Sequence, residues 1–264
     1  MINKYLERIG LEKLPAPTCQ GLEILTRSHS FNVAFENLDA LARNPIRIDL
    51  ESITNKILNQ GRGGYCYEVN GILAYAMSEA GFKFQKALCR VTYKRAEPGP
   101  KTHLVFIVET EKGPALVDVG FGGPGLVAPM PFKANAQMFQ NGTEFRLVPE
   151  RDGSLQLQRL AGKDWQNLYI VTNESFKEID LEVANHFVST WERSPFRSML
   201  MCVLPVENGL KTIQGKALVH LNENLEVRAK RDLKDAADLH DVMTYEFKVK
   251  VALENVKKAW ENVV

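Results

Sequence analysis

Residues 61–81 open as Gly61-Arg62-Gly63-Gly64-Tyr65-Cys66-Tyr67-Glu68 and continue VNGILAYAMSEAG. Three glycines within four positions let the backbone turn sharply and approach other groups closely. A helix is expected to begin near Cys66 and run to Gly81, which stands at the usual position just past a helix end. Cys66 then falls in a first helical turn, where the helix dipole and unpaired N–H groups favour a thiolate. A cysteine merely packed beneath a glycine turn is the plainer alternative.

Before this stretch the apolar period is helical. Ile2, Leu6 and Ile9 share a face, LPAP at 14–17 breaks it, and Thr18 can cap a second helix carrying Leu22, Leu25 and His29. Asp49 can cap a third helix over 50–60. From Phe82 the period becomes two: KALCRVTY, THLVFIVE, ALVDVGFG, EFRLVPE, LQLQRL and NLYIVT are separated by turns such as EKG, RDG and AGKD. Beyond Lys177 a helix near 180–190, two or three strands (SMLMCVLP, KALVHL, LEVRAK) and a final helix around 244–262 are expected. The reading is an α+β chain: a helical bundle over 1–81, a central antiparallel meander or β-barrel over 82–176, and a mixed α/β region over 177–264.

Lys plus Arg total 33 against 32 for Asp plus Glu, a net charge of +1, so no global field points to nucleic acid or an anionic membrane. No apolar run approaches the ~18–20 residues of a membrane span, and the charged start MINKYLERIG lacks the core of a secretory signal. Cys19, Cys66, Cys89 and Cys202 are scattered without a CxxC pair, which suits reduced thiols in the cytoplasm and makes a metal site unexpected.

His103 lies in an otherwise apolar strand, and so does Asp118. A buried imidazole needs partners for its ring nitrogens, and a buried carboxylate needs a partner or a proton. The polar turn 110–114 joins the two strands, and the midpoint between 103 and 118 falls at its start. A hairpin pairing there makes His103 and Asp118 close cross-strand neighbours. With Cys66 they form a nucleophile, a base and an orienting carboxylate, the logic of a catalytic triad with thiol in place of hydroxyl. The other histidines and cysteines lack such settings.

These residues resemble the arylamine N-acetyltransferase family over nearly the whole chain. The similarity runs from Tyr5-Leu6-Glu7-Arg8-Ile9-Gly10 and Phe35-Glu36-Asn37-Leu38 through RGGYCYE, His103 and VDVGFGG around Asp118. It continues in Asn185-His186-Phe187-Val188-Ser189-Thr190 with Ser194 and Phe196. The resemblance implies a papain-like or transglutaminase-like Cys-His-Asp core and a C-terminal α/β lid. It also implies acetyl-CoA as acyl donor, an acetyl-Cys66 thioester, and transfer to an aryl amine, arylhydrazine or N-hydroxyarylamine. Phe35 and Phe196 enter the acceptor pocket on the resemblance alone. Phe121 follows Asp118 by three residues and so lies near the site if the triad holds.

The glycines of Gly120-Phe121-Gly122-Gly123-Pro124-Gly125 can present N–H groups to an anion, although a simple turn explains them equally from the residues alone. The family points to Gly122, Gly123 and Thr102 as CoA contacts. Arg8, Glu36 and Arg62 resemble a structural charge network behind the nucleophile. Tyr67 is expected to add a hydroxyl at the pocket edge, and Trp191-Glu192 to alter its wall. The expected partners are small molecules and CoA, with a monomer or homodimer as the assembly. Two alternatives use the same triad: a transglutaminase-like thiol hydrolase, and an amide synthase fed by a carrier-bound thioester. A redox-sensing thiol would need neither His103 nor Asp118.

Overall fold

In the computed structural model, which describes residues 1–172 and 174–263, the side-chain oxygen of Thr18 accepts the Gly21 amide at 3.1 Å. That cap starts α2 (Cys19–Ser30), after α1 (Ile2–Ile9) has ended at a left-handed Gly10. Asp49 likewise caps α4 (Leu50–Thr54) through the Ser52 amide at 2.9 Å; α4 follows the single turn α3 (Leu38–Leu41). The helix expected over 50–60 is present but changes to a π-helical turn at Asn55–Asn59. Then comes α5 (Cys66–Glu79), with Gly81 at φ +82° just beyond its end. Val69, Ile72, Leu73, Ala76 and Met77 of α5 are wholly buried against Tyr5, Ile9, Leu22 and Leu25. A helix apolar on most sides belongs inside, and α5 does.

One element of this region is not helical. β1 (Phe35–Glu36) pairs antiparallel with Val203 and Cys202, so the N-terminal segment supplies the edge of a C-terminal sheet. The brevity of the strand hides it from any search for period two.

The middle of the chain supplies β2 (Phe84–Val91), β3 (Lys101–Val108), β4 (Ala115–Val117), β5 (Met130–Pro131), β6 (Gln137–Gln140), β7 (Thr143–Pro149), β8 (Leu155–Ala161) and β9 (Asp164–Val171). They form one antiparallel sheet in the order β5-β4-β3-β2-β9-β8-β7-β6, whose edge strands approach each other to make a nearly closed barrel. Its interior packs Val105, Leu116, Phe145, Leu147, Leu157, Leu168 and Tyr169. Phe106 pairs with Val117 and Val108 with Ala115. That register sets Asp118 across from Val105, two positions from His103 on the same face. The two are diagonal rather than direct neighbours, a separation long side chains still span.

After α6 (Glu178–Thr190) and a 3₁₀ turn at Pro195–Arg197 come β10 (Met201–Val206), β11 (Gly209–Gln214), β12 (Ala217–Asn222) and β13 (Val227–Asp232), ordered β1-β10-β11-β12-β13. β11 was not expected; its Gly209-Leu210-Lys211-Thr212 start gives little apolar alternation. The single final helix is instead two, α7 (Ala236–Tyr245) and α8 (Leu253–Glu261). Between them Phe247, Val249 and Val251 are buried alternately with lysines, a period-two segment that no helix can bury. Leu38 and Leu41 share a core with Leu204, Ile213, Leu239 and Val256, so the first and last regions pack as one body. Among the described residues no helix is long and apolar enough to cross a membrane.

Candidate active site

Cys66 is the first residue of α5, and its sulfur lies 3.8 Å from the Thr102 carbonyl of β3. The helix start is fixed from two sides. Glu68 accepts the Tyr65 amide at 3.0 Å, and Gly64 accepts the Glu36 amide at 2.9 Å, tying the glycine turn to β1. Tyr67 donates its hydroxyl to the Thr102 carbonyl at 2.6 Å. That hydrogen bond ties the start of α5 to the strand just ahead of His103.

His103 Nε2 meets Asp118 Oδ2 at 2.7 Å, and both residues are only 3% exposed. The other ring nitrogen is thus left for the Cys66 sulfur. Burial alone would lower the His103 pKa. The Asp118 charge and hydrogen bond, with a smaller push from Cys66, instead raise it from 6.5 to about 10. Asp118 is pulled the other way: burial would raise its pKa, but His103, the Gly120 amide and Asn70 hold it below the ordinary carboxylate range. Tyr169 and Phe121 cover the imidazole, with ring centroids 4.9 and 5.5 Å away.

Asn70 is the residue that sequence reasoning missed. One turn after Cys66, its Nδ2 donates to Asp118 Oδ1 (3.1 Å) and to the Leu104 carbonyl (2.8 Å), while its Oδ1 accepts the Val119 amide (3.1 Å). It locks the nucleophile's helix to both strands. The available signal was an asparagine four residues from Cys66 within an apolar helix. Gly120 must lack a side chain, since a Cβ there would stand 2.7 Å from Asn70 Nδ2 and 2.9 Å from Cys66 Cα.

The neighbouring thiols are in different settings. Cys89 pairs directly with His103 across β2 and β3, yet burial first, then the charges of Asp118 and Cys66, push its thiol well up. Burial does the same to Cys202. His29, carried on α2 with Leu22 and Leu25, is wholly buried, bonded to the Tyr5 hydroxyl at 2.9 Å and held down to about 3, chiefly by burial.

Behind α5, Arg62 grips Glu36 (2.7 Å) and Asp39 (3.2 Å), while Lys56 bridges Asp39 (2.7 Å) and Glu68 (2.6 Å). Burial opposes charge on Lys56, but Glu68, Glu36 and Asp39 raise its pKa. Burial raises the Glu68 carboxyl despite Lys56. Arg8 does not join this cluster; its guanidinium donates to the Lys248 carbonyl at 2.9 Å.

Phe35 and Phe196 stand 6.2 Å apart, and Phe196 meets Tyr65 edge-on at 5.9 Å. Tyr65 in turn donates its hydroxyl to Asn185 of α6. Gly122, at φ +72°, lies so close over Phe35 that a Cβ would come within 2.6 Å of the ring. Gly123 abuts Phe121. The loop amides are not all open to an anion, because Gly120 donates to Asp118 and Gly125 to the Gly123 carbonyl. The Thr102 hydroxyl bonds the Pro100 carbonyl at 3.3 Å. Trp191 stacks on Phe187 at 4.8 Å and is half exposed.

A family model described as N-acetyltransferase matches residues 18–256. An arylamine N-acetyltransferase of Mycolicibacterium smegmatis is 35% identical over 220 residues, covering 81% of this chain and 80% of that protein. An arylamine N-acetyltransferase / N-hydroxyarylamine O-acetyltransferase of Salmonella typhimurium is 30% identical over 249 residues, covering 93% and 88%. The solved structure of the Mycobacterium marinum arylamine N-acetyltransferase in complex with CoA superposes with a TM-score of 0.92 at 29% identity, over 100% of both chains.

Proposed function

Since this chain belongs to the arylamine N-acetyltransferase family, acetyl-CoA-dependent acyltransferases, we propose that it works by a ping-pong mechanism through Cys66. In the first half-reaction His103 holds the thiol proton while the Cys66 sulfur attacks the acetyl carbonyl of acetyl-CoA. The tetrahedral intermediate collapses with loss of the CoA sulfur, which takes the proton from the imidazolium, leaving acetyl-Cys66. In the second, an aryl amine, arylhydrazine or N-hydroxyarylamine attacks the thioester, its proton passes to His103, and the Cys66 sulfur departs. Thiol-to-thioester exchange is energetically close to neutral, and a weakly basic aryl amine is unprotonated at neutral pH. General acid–base help of this kind contributes about 10²–10⁴ in rate.

The observation that carries the reading is the 2.7 Å bond from Asp118 to His103 Nε2, which reserves the other ring nitrogen for the sulfur at the start of α5. Residues 1–81 supply the nucleophile, 82–176 the base and carboxylate, and 177–264 the wall that includes Phe196. Phe35, Phe121 and Phe196 form the acceptor walls, where ring contacts add about 0.5–1.5 kcal/mol beyond area burial. Gly122, Gly123 and Thr102 contact CoA.

Incubation with acetyl-CoA and no amine should place one acetyl group on the peptide containing Cys66, and an aryl amine should then remove it. Label persisting in Cys66→Ala, or found on Cys19, Cys89 or Cys202, refutes the assignment. Loss of the acetyl group to water faster than to any amine would favour the hydrolase instead.

A further inference from the structure

Asn37 follows β1 and stands at the N-cap of α3, where an asparagine side chain ordinarily accepts an amide of the first helical turn. Here it does not. Glu36 Oε2 takes the Leu38 amide at 2.8 Å, and the Asn37 side chain, buried, turns to a segment that begins 159 residues later. Its Nδ2 donates to the Phe196 carbonyl (3.0 Å) and the Met199 carbonyl (2.8 Å), and its Oδ1 accepts the Met201 amide (2.8 Å). The Asn37 amide adds a backbone bond to the Met201 carbonyl at 3.3 Å. Both side-chain N–H groups and the oxygen are thus spent on residues 196–201.

Little else holds this segment to the N-terminal region. Residues 195–198 are half-buried and Met199 is exposed, so packing grips only Leu200 at the far end. Ser194 Oγ and Arg197 Nη1 donate to the Val188 and Thr190 carbonyls, which ties the upstream end to α6. Among the described residues, Asn37 makes every side-chain hydrogen bond between residues 1–81 and 195–201. The Phe196 ring stands 6.2 Å from Phe35, which precedes Asn37 by two residues. Phe35 is itself fixed, pairing with Val203 and lying against Gly122. The Asn37 amide therefore sets the backbone that carries Phe196 at a fixed distance from the strand that carries Phe35.

We propose that Asn37 is a positioning residue for acceptor selection: by clamping the Phe196 and Met199 carbonyls it holds Phe196 opposite Phe35 at the spacing that grips an aryl ring. The inference rests on the assignment of Phe35 and Phe196 to the acceptor wall. Without the clamp the wall yields, and an acceptor that relies on ring contact loses more than one that does not.

Asn37→Ser and Asn37→Asp test it. Serine and aspartate are both favoured at an N-cap, so α3 keeps its start, but neither side chain can donate to two carbonyls. Asn37→Ser buries no charge and decides the question if Asn37→Asp does not fold. Each variant is loaded with acetyl-CoA, and the decay of acetyl-Cys66 is timed with a bulky aryl amine and with a small hydrazine, both below saturation. The aryl amine rate relative to the hydrazine rate should fall about two- to tenfold, the range that one lost ring contact gives. A role in stability alone would slow both acceptors alike. In a Phe196→Ala background the same substitutions should leave the ratio where Phe196→Ala sets it. A folded Asn37 variant with the wild-type ratio, or a further fall on top of Phe196→Ala, overturns the clamp while the acceptor wall stands. An unchanged ratio in Phe196→Ala itself overturns the wall assignment and the clamp with it.

Discussion

Asp118→Asn tests the orientation of the catalytic base, and the surrounding bonds fix what the amide must do. Asp118 Oδ1 accepts two donors, Gly120 N–H at 2.9 Å and Asn70 Nδ2 at 3.1 Å, while Oδ2 faces His103. In the variant the amide oxygen has to take the Oδ1 position, so the NH₂ group points at His103 Nε2. The ring then accepts there, and its proton moves to the nitrogen that faces Cys66, the tautomer unable to receive the thiol proton. By comparison with serine triads the acetylation rate should fall by about 10⁴, or roughly 5 kcal/mol of barrier. Rapid mixing with acetyl-CoA and following CoA release measures that step alone, and melting by circular dichroism checks the fold. A folded variant that releases CoA within a few-fold of the wild-type rate would show that Asp118 does not orient the base.

Stability should depend on pH through the same pair. The His103 pKa is raised to about 10 on folding, so its contribution is complete below about 6.5, declines above that, and vanishes as pH rises through 10. Asp118 is depressed, so its contribution is present above about 3.8 and is lost as pH falls through its folded value. Melting temperatures should therefore decline toward alkaline pH in wild type and less steeply in Asp118→Asn; parallel alkaline limbs would refute the coupling. Lys56→Met leaves buried Glu68 without its cation, while Asp39 keeps Arg62, and should cost about 3–5 kcal/mol in urea unfolding, with part restored by adding Glu68→Gln. Gly120→Ala forces a methyl to 2.9 Å from Cys66 Cα and should destabilise by about 1–3 kcal/mol while slowing acetylation, measured by melting and CoA release. Phe196→Ala should slow transfer from acetyl-Cys66 to a bulky aryl amine more than to a small hydrazine and leave acetylation nearly intact; equal loss with both acceptors would remove Phe196 from the pocket wall.

The reach of the sequence is clearest at His103 and Asp118. Two polar residues in apolar strands demand each other as partners, and the short turn between them brings them together. The exact register was not legible, because an apolar hairpin tolerates a shift of two residues without turning any side chain to the opposite face. Asn70 escaped because its role depends on how α5 packs against β3 and β4, a tertiary contact that no local pattern encodes. The split between α7 and α8 was hidden because Phe247, Val249 and Val251 fit the apolar content of a helix while their spacing fits a strand. Lys56 lacks any sequence signature as the cation between Glu68 and Asp39; only the fold collects them.

The two-residue strand β1 has a consequence in time. Phe35 and Glu36 leave the ribosome early, but their partners Val203 and Cys202 belong to the last third of the chain. At about 5–20 residues per second the wait is on the order of 8–35 seconds. During that interval Leu38 and Leu41 also lack the Leu204 and Leu239 surface they will be buried against. The nascent N-terminal helices therefore present an apolar edge that only the finished chain can cover, which makes this segment a natural client for a holding chaperone during synthesis.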